Sequence, residues 1–406
     1  MTLGFKQTEV GTIPDDWQVV PFLSAVQIAN GQVDPRIEPY RSMILIAPDH
    51  IESGSGKLIQ KRTASAQAAI SGKYLFDSGD IVYSKIRPYL RKATIAKFRG
   101  LCSADMYPLK ARKGIESGFI LPVLLSHRFS IFAEGVSART GIPKINREDL
   151  SAFSIALPPQ NEQRAIATAL SDVDALLTSL DALIAKKRDI KQAAMQQLLT
   201  GKTRLPGFEG EWTVKRLDQL ANIRSGGTPS TTVSRFWDGG IPWCTPTDIT
   251  RLGGGKYLLD TSRQITSEGL SNSSAELIPA NSVVMTSRAT IGECAINLKP
   301  VTTNQGFKNF VPFEDTDVNF LYYLLQTQKQ GFMQLCAGST FLEIGKTQLA
   351  AYKVHLPSTK AEQTAIAQVL SDMDVELAAL EARRDKTRLL KQGMMQELLT
   401  GKTRLV

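Results

Sequence analysis

The chain repeats one long segment at a distance of 200 residues. Residues 162–205 begin EQRAIATALSDVD and residues 362–405 begin EQTAIAQVLSDMD, and both end LLTGKTRL. About 26 of the 44 aligned positions are identical, without a gap. Because near-identical segments should fold alike and offer like surfaces, this repeat constrains the whole architecture. The 406 residues therefore divide into two halves built on one plan, and we expect these halves to close into a ring of approximate two-fold symmetry.

Each copy has the pattern of a coiled-coil helix. Apolar residues recur at alternating steps of four and three, and neither Gly nor Pro interrupts 162–200. Such a helix of about 38 residues is roughly 57 Å long at 1.5 Å per residue. Its apolar seam needs a partner, and the other copy is the expected one, although each helix could instead pack on its own domain. The predicted seam consists of Ile166, Leu170, Val173, Leu177, Leu180, Ile184, Ile366, Leu370, Met373, Leu377 and Leu380.

The ends of these helices are also marked in the sequence. Gly201 and Gly401 stand where a glycine typically terminates a helix. Arg384 replaces Ile184 in the second seam, so we expect helix pairing to weaken there.

The regions that precede the two copies are much less similar. They share landmarks such as Trp17 and Trp212, and each ends in a strand-like run before Leu-Pro. Short β-like runs separated by turns rich in Gly, Pro, Ser and Thr predict mixed α/β domains, so the fold class is α+β. The predicted boundaries are 1–156 and 206–355 for the two variable domains, and 157–205 and 356–406 for the two helical segments.

Catalytic and metal-binding motifs are missing from the sequence. The three histidines are far apart, and no CxxC, HExxH, P-loop or GxSxG pattern occurs. The four cysteines have no close pair, which favours reduced thiols in a cytoplasmic protein. No run of about 18 apolar residues and no secretory signal is present. We therefore expect a cytoplasmic binding protein without catalytic residues, metal or cofactor of its own.

Positive charge is concentrated in the first variable domain. The net charge of +9 divides into +6 for 1–156, +2 for 157–205, zero for 206–355 and +1 for 356–406. Segment 81–104 holds six cations and no acid, with aromatic residues interleaved, a pattern that suits nucleic acid but also a charge-protected strand edge. The candidate DNA-binding residues here are Ser84, Lys85, Arg87, Tyr89, Arg91, Lys92 and Arg99, with a second basic loop at Arg139, Lys144 and Arg147.

The second variable domain is neutral, so bulk electrostatics do not predict binding there. It is rich in short hydrogen-bonding side chains that can contact phosphates or base edges, although turn chemistry explains Ser, Thr and Asn equally well. Ser287-Arg288 matches the position of Ser84-Lys85 in this reading. Trp237 and Trp243 are predicted to be core residues. The candidates are Ser225, Thr228, Thr245, Thr247, Ser287, Arg288, Thr303, Asn304, Gln305, Ser339 and Thr340.

Two divergent domains, each followed by a conserved helix, resemble the specificity subunit of type I restriction-modification systems. The helices are introduced by LPPQNEQRAIA and LPSTKAEQTAIA, and the second domain carries SGGTPST, GGIPWCTPTDI, SRATIGECAI and TTNQGFKNF, which resemble family patterns. The resemblance covers nearly the whole chain.

The resemblance implies that each variable domain is a target recognition domain for one half of a bipartite double-stranded DNA site. It also implies that the helices form an antiparallel coiled coil that sets the half-site spacing. Two modification (adenine methyltransferase) subunits would bind the conserved helical regions, and ATP-dependent restriction endonuclease subunits would join them. The candidate partner-binding residues are Leu198, Leu199, Leu398 and Leu399.

By the same resemblance this subunit is non-catalytic, and S-adenosylmethionine, ATP and magnesium belong to its partners. One alternative is the specificity subunit of a related two-subunit system whose partner chain fuses modification and cleavage. A self-contained nuclease or methyltransferase, and a coiled-coil scaffold that binds no nucleic acid, are alternatives of other classes.

Overall fold

The computed structural model describes residues 4–138, 142–336 and 343–405. The chain forms two compact units, one from residues 1–181 with 382–406 and one from residues 182–381. We call them the first unit and the second unit. Each long helix contributes one half to each unit, so the C-terminal segment belongs to the first unit although it is the last part of the chain.

The first unit contains short strands and helices before the first long helix. Its strands are β1 (Phe5–Thr8), β2 (Gly11–Pro14), β3 (Gln18–Pro21), β4 (Val26–Ile28), β5 (Ile44–Ile46), β6 (Arg62–Thr63), β7 (Tyr74–Phe76), β8 (Ile81–Ser84), β9 (Ala93–Ile95), β10 (Gly100–Cys102), β11 (Met106–Ala111) and β12 (Ser154–Leu157). Its helices are α1 (Phe22–Ala25), α2 (Ser117–Leu125), α3 (His127–Ser137), α4 (Arg147–Ser151) and the first half of α5 (Gln160–Leu198).

Two four-stranded sheets form the body of the first unit. Their strand orders are β4-β11-β8-β9 and β6-β5-β10-β7, and two-stranded pairs β1-β2 and β12-β3 complete it. Strands β8 and β11 are antiparallel, with Ser84 opposite Met106. The core beneath them includes Trp17, Phe22 and Phe129, all at most 2% exposed, and the seam residues Ile166 and Leu170.

The second unit has the same plan with different lengths. Its strands are β13 (Thr213–Arg216), β14 (Ala221–Ser225), β15 (Trp237–Cys244), β16 (Tyr257–Leu258), β17 (Arg263–Ile265), β18 (Ser282–Thr286), β19 (Cys294–Asn297), β20 (Thr302–Thr303), β21 (Phe307–Pro312) and β22 (Lys353–Leu356). Its helices are α6 (Pro246–Arg251), α7 (Ser267–Ser271), α8 (Val318–Thr327), α9 (Lys329–Leu335), α10 (Lys346–Ala351) and the first half of α11 (Lys360–Leu398).

The sheets of the second unit correspond to those of the first. Its five-stranded sheet runs β14-β21-β18-β19-β16, a three-stranded sheet runs β17-β15-β20, and β13 pairs with β22. Thr286 lies opposite Phe307 in the antiparallel β18-β21 pair, as Ser84 lies opposite Met106. The mixed α/β domains predicted from the sequence are therefore present in both units.

The long helices α5 and α11 pack against each other within each unit. In the second unit Lys187 pairs with Glu376 at 2.7 Å and Lys191 pairs with Asp374. In the first unit Lys391 pairs with Asp174 at 2.6 Å. Partner numbers fall on α11 as they rise on α5, so the helices are antiparallel. This packing agrees with the predicted coiled coil.

The predicted seam is buried most deeply near the start of each helix. Ile166, Leu170, Ile366 and Leu370 are at most 2% exposed and belong to the cores of their units. Leu180 and Ile184 are also buried. Arg384 keeps a 20% exposed side chain and lies 3.9 Å from Asp181. Gly201 and Gly401 follow the helix ends with positive φ of 69° and 70°, as predicted.

A buried polar network joins the repeated TRL segment to the start of the opposite long helix in each unit. In the first unit Arg404 binds Glu162 at 2.5 Å and Asp16 at 2.8 Å, and the Trp17 indole donates to Glu162 at 2.9 Å. In the second unit Arg204 binds Glu362 at 2.5 Å, and Trp212 donates to the same carboxylate at 3.3 Å. The repeat thus reproduces a tertiary contact as well as a sequence.

No single helix in the described ranges is long and apolar enough to span a membrane. The bent pair α2 and α3, broken by 62°, meets the length and composition requirement only when the two are joined.

Candidate nucleic-acid interface

The structure brings the two basic segments of the first unit together at the connection between β8 and β9. Ile86 and Lys144 form an isolated antiparallel bridge. The Arg87 amide donates to Pro143 O at 2.8 Å, and the Ile145 amide donates to Lys85 O at 2.9 Å. Lys85, Arg87, Lys144 and Arg147 therefore share one region, which we call the basic patch.

Tyr107 supports the basic patch from the neighbouring strand β11. The Lys85 amine lies 4.9 Å from the centre of its ring, and the Arg147 guanidinium lies 5.6 Å from it. Burial lowers the pKa of Lys85, and the like charges of Lys144 and Arg147 lower it further. The basic patch is therefore suited to binding an anion, because an anion such as phosphate relieves the repulsion between its crowded cations. Arg147 also donates to Ala29 O at 2.6 Å, which holds it in place.

The other predicted DNA-binding residues of the first unit are not part of the basic patch, and several of them contact other parts of the unit. Lys92 donates to Pro48 O at 2.7 Å, and Arg99 pairs with Asp77 at 3.3 Å. Arg91 packs beside Gly54, while Tyr89 is 51% exposed. Ser84 is buried and donates to Ile86 O at 3.1 Å, so it presents no surface to a ligand. Arg139 lies outside the described residues.

The second unit builds the equivalent connection with other side chains. The Ser287 amide donates to Gly306 O at 2.7 Å, as the Lys85 amide donates to Asp105 O. The Ile344 amide donates to Ser287 O at 3.1 Å, as the Ile145 amide donates to Lys85 O. Lys85 therefore corresponds to Ser287.

The match of Ser287-Arg288 with Ser84-Lys85 is consequently wrong by one residue. Strand register decides the point, because Ser84 and Thr286 hold the same place in their ladders. Arg288 corresponds to Ile86, and it forms an isolated bridge with Glu343 as Ile86 does with Lys144.

Arg288 and Glu343 form the centre of a mixed-charge surface. Their side chains pair at 2.8 Å, and the Lys308 amine lies 3.8 Å from Glu343. Arg288 passes over Gly306, whose amide is held by Asn304, and Thr228 donates to Gln305 close by. We call Thr228, Arg288, Asn304, Gln305 and Glu343 the polar patch, with Lys308 buried beneath it.

The remaining predicted residues of the second unit serve mainly to hold its structure. Thr303 is buried and accepts a hydrogen bond from Asn309 at 2.8 Å. Thr245 donates to Asp248 at the start of α6. Ser287 is buried, and its hydroxyl has no hydrogen-bond partner among the described residues. Ser225 is half-buried and Thr247 is exposed. Ser339 and Thr340 lie outside the described residues.

Two predictions about large apolar residues have opposite outcomes. Trp237 and Trp243 are buried core residues as predicted, with ring centres 4.9 Å apart. Leu198, Leu199 and Leu398 are also buried, at 7%, 2% and 3% exposure, so they have little surface to offer a partner. The helix ends supply these leucines to the cores of their own units, which corrects the predicted partner-binding role. Leu399 keeps partial exposure and lines a cavity of about 600 Å³ in the first unit.

Sequence reasoning missed Tyr107, Lys308 and Glu343. A signal was available for Glu343, because it precedes Ile344 as Lys144 precedes Ile145. Tyr107 and Lys308 had no comparable signal, since only strand register places them beneath the patches. Among the described residues, no group of three or more His, Cys, Asp or Glu side chains could hold a metal ion.

Comparisons with known proteins support the fold and the family. The family model for the type I restriction modification DNA specificity domain matches residues 14–189 and 209–389. The EcoDI specificity subunit of Escherichia coli is 32% identical over 225 residues, which cover 54% of this chain and 49% of that protein. The MjaVIII specificity subunit of Methanocaldococcus jannaschii is 24% identical over an alignment that covers 99% of this chain and 96% of that protein. The chain thus matches about half the length of the first of these relatives.

Solved structures show the same fold over nearly the whole chain. One solved structure is described as showing the structural basis of complex assembly and conformational transition of the type I R-M system. It matches with a TM-score of 0.63 and 19% identity, and the match covers 96% of this chain and 99% of that chain. The type I system S subunit from M. genitalium has a TM-score of 0.59 at 15% identity, covering 98% and 99%. Because the family model matches both halves, this chain belongs to the type I restriction modification DNA specificity family.

Proposed function

We propose that this chain is the non-catalytic DNA sequence-specificity subunit of a type I restriction-modification complex. Each unit reads one half of a bipartite double-stranded DNA site. One observation carries the proposal: the same strand connection projects a basic patch in the first unit and a polar patch in the second. A shared frame with different contact chemistry suits two units that hold different half-sites. The basic patch can position the duplex through its phosphates, and the polar patch can reach base edges.

The antiparallel helices act as the spacer between the half-sites in this proposal. They are helices of 39 residues each, and ion pairs such as Lys391 with Asp174 join them within each unit. Near-identical helices present near-identical outer surfaces, so a partner that binds one binds the other. Two modification subunits would dock there and restriction subunits would join them, with S-adenosylmethionine, ATP and magnesium held by those partners in the cytoplasm.

The deciding experiment is co-expression with the neighbouring methyltransferase gene product, followed by single-base methylation mapping of host DNA. We expect a bipartite motif with a constant unread gap that disappears when this chain is deleted. A motif unaffected by deletion, or no motif in an expressed and assembled complex, would contradict the proposal. Exchange of one variable domain for that of a relative provides the control, because only one half-site should then change.

A further inference from the structure

A carboxylate occupies the centre of the polar patch, where the basic patch has a cation. Glu343 holds the position of Lys144, and each is paired by a bridge to the strand connection. A carboxylate near DNA is repelled by the phosphates, so it weakens binding unless it accepts a hydrogen bond from a base. The replacement of a cation by Glu343 therefore needs a physical reason.

Two cationic side chains lie against the Glu343 carboxylate. Arg288 pairs with it from one side at 2.8 Å, and Lys308 lies 3.8 Å away from within the core. Lys308 is only 5% exposed, and it stands at the ladder position that Tyr107 has in the first unit. Burial lowers the pKa of Lys308, while the Glu343 charge opposes that change. Two cations thus offset the carboxylate charge, which reduces its repulsion of a nearby polyanion.

Arg288 and Glu343 both retain surface for a ligand. Their side chains are 44% and 35% exposed, and the Arg288 side chain lies beside Gly306. Arginine is suited to the O6 and N7 acceptors of guanine, and glutamate is suited to the N4 amino donor of cytosine. These atoms are neighbours on the major-groove edge of one G·C base pair, as the two side chains are neighbours in the patch.

We propose that Arg288 and Glu343 together read one G·C base pair in the half-site of the second unit. Arg288 donates to guanine, and Glu343 accepts from the paired cytosine. This inference rests on the proposed function and adds a base pair and its two specificity-determining residues.

The test uses the chain co-expressed with its methyltransferase partner and maps methylation motifs for the wild type, E343Q and R288K. The first variant keeps the shape of the side chain and removes its charge, and the second keeps the charge and removes the guanidinium fork. We expect a G·C pair in one half-site of the wild type. In both variants that position should lose discrimination by about tenfold to a hundredfold, while the other positions and the other half-site stay unchanged.

K144A is the matched control at the equivalent position of the first unit. It should weaken binding to all sequences alike and leave the motif unaltered, because a phosphate contact carries no base information. Thermal unfolding of each purified variant identifies folding defects. If a variant does not fold, the milder E343D takes its place. E343D should reduce discrimination at the same base pair of the half-site.

The outcomes separate this inference from the proposed function. An unchanged motif in folded E343Q and R288K, or a half-site without a G·C pair, would show that the ion pair only compensates buried Lys308, and the inference would be overturned. A wild-type complex without any bipartite motif would instead overturn the proposed function.

Discussion

Arg404 completes the first unit from the far end of the chain. Its side chain is 11% exposed and binds Glu162, which is fully buried and also accepts the hydrogen bond from the Trp17 indole. The hydrogen bond from Arg404 also holds the pKa of Asp16 below its usual value. Removal of one member of such a pair leaves a buried charge without its partner, which is costly.

We predict that R404A lowers the free energy of unfolding of the first unit by about 3–5 kcal/mol. R204A should have a similar effect on the second unit, because Arg204 binds Glu362 in the same way. Thermal unfolding with limited proteolysis measures the change and identifies the unit that opens. R36A is the control, since Arg36 pairs with Asp34 on the surface and its loss should leave the unfolding curve unchanged.

Asp248 gives the second unit a pH-dependent contribution to stability. Burial alone would raise the pKa of Asp248, but hydrogen bonds from Thr245 and Ser262 to its carboxylate hold it below the usual value. A carboxyl group whose pKa is lower in the folded state stabilises the protein above its unfolded pKa of about 3.9. That stabilisation is lost as the pH falls through the folded value.

D248N should therefore destabilise the second unit by about 1–2 kcal/mol at pH 7. The difference from the wild type should shrink as the pH falls below about 4, which urea unfolding at several pH values would measure. D315N is the control, because Asp315 is a 62% exposed partner of Lys215. A deficit that stays constant in acid would contradict the role of the ionised carboxylate.

At the scale of elements, the long helices depend on the part of the seam that enters the cores. Leu370 is fully buried among core residues of the second unit, whereas Val375, on the same helix, is 69% exposed. L370A should lower the free energy of unfolding by about 2–5 kcal/mol through lost contacts and a cavity. V375A should change the free energy of unfolding little. Equal effects of the two substitutions in urea unfolding would show that burial of the seam residue does not stabilise the helix.

The basic patch should govern the salt dependence of DNA binding. Each phosphate contact contributes close to one unit to the slope of log K against log salt. We expect K85A, R87A and K144A each to reduce that slope by about one in the assembled complex, with little change in sequence preference. K97A is the control, because exposed Lys97 lies at the turn after β9, away from the bridge of Ile86 with Lys144. An unchanged slope for all three would mark them as a solvated edge.

At the scale of the whole molecule, the proposed spacer makes a geometric prediction. One seven-residue heptad inserted into both α5 and α11 adds about 10.5 Å to each helix, equal to roughly three base pairs of B-DNA. Methylation mapping should then show a longer unread gap between unchanged half-sites. Insertion into one helix alone is the control, because it puts the seams out of register and should prevent assembly. A constant gap in the double insertion would exclude the helices as the spacer.

Local patterns in the sequence determined much of this protein. The 200-residue repeat and the alternating four and three spacing defined two equivalent helices and their seam, because burial along a helix follows a short period. The glycine stops and the core positions of Trp237 and Trp243 also followed from local signals.

The tertiary structure alone decided how distant segments meet. The contact of Arg404 with Asp16, and the bridges of Ile86 with Lys144 and of Arg288 with Glu343, join parts of the chain that no local period relates. Strand register also placed Lys308 beneath Glu343, where the sequence suggested only a neutral domain. Long-range pairing depends on the packing of whole sheets, so the chemistry of each patch became visible only when the strands were in place.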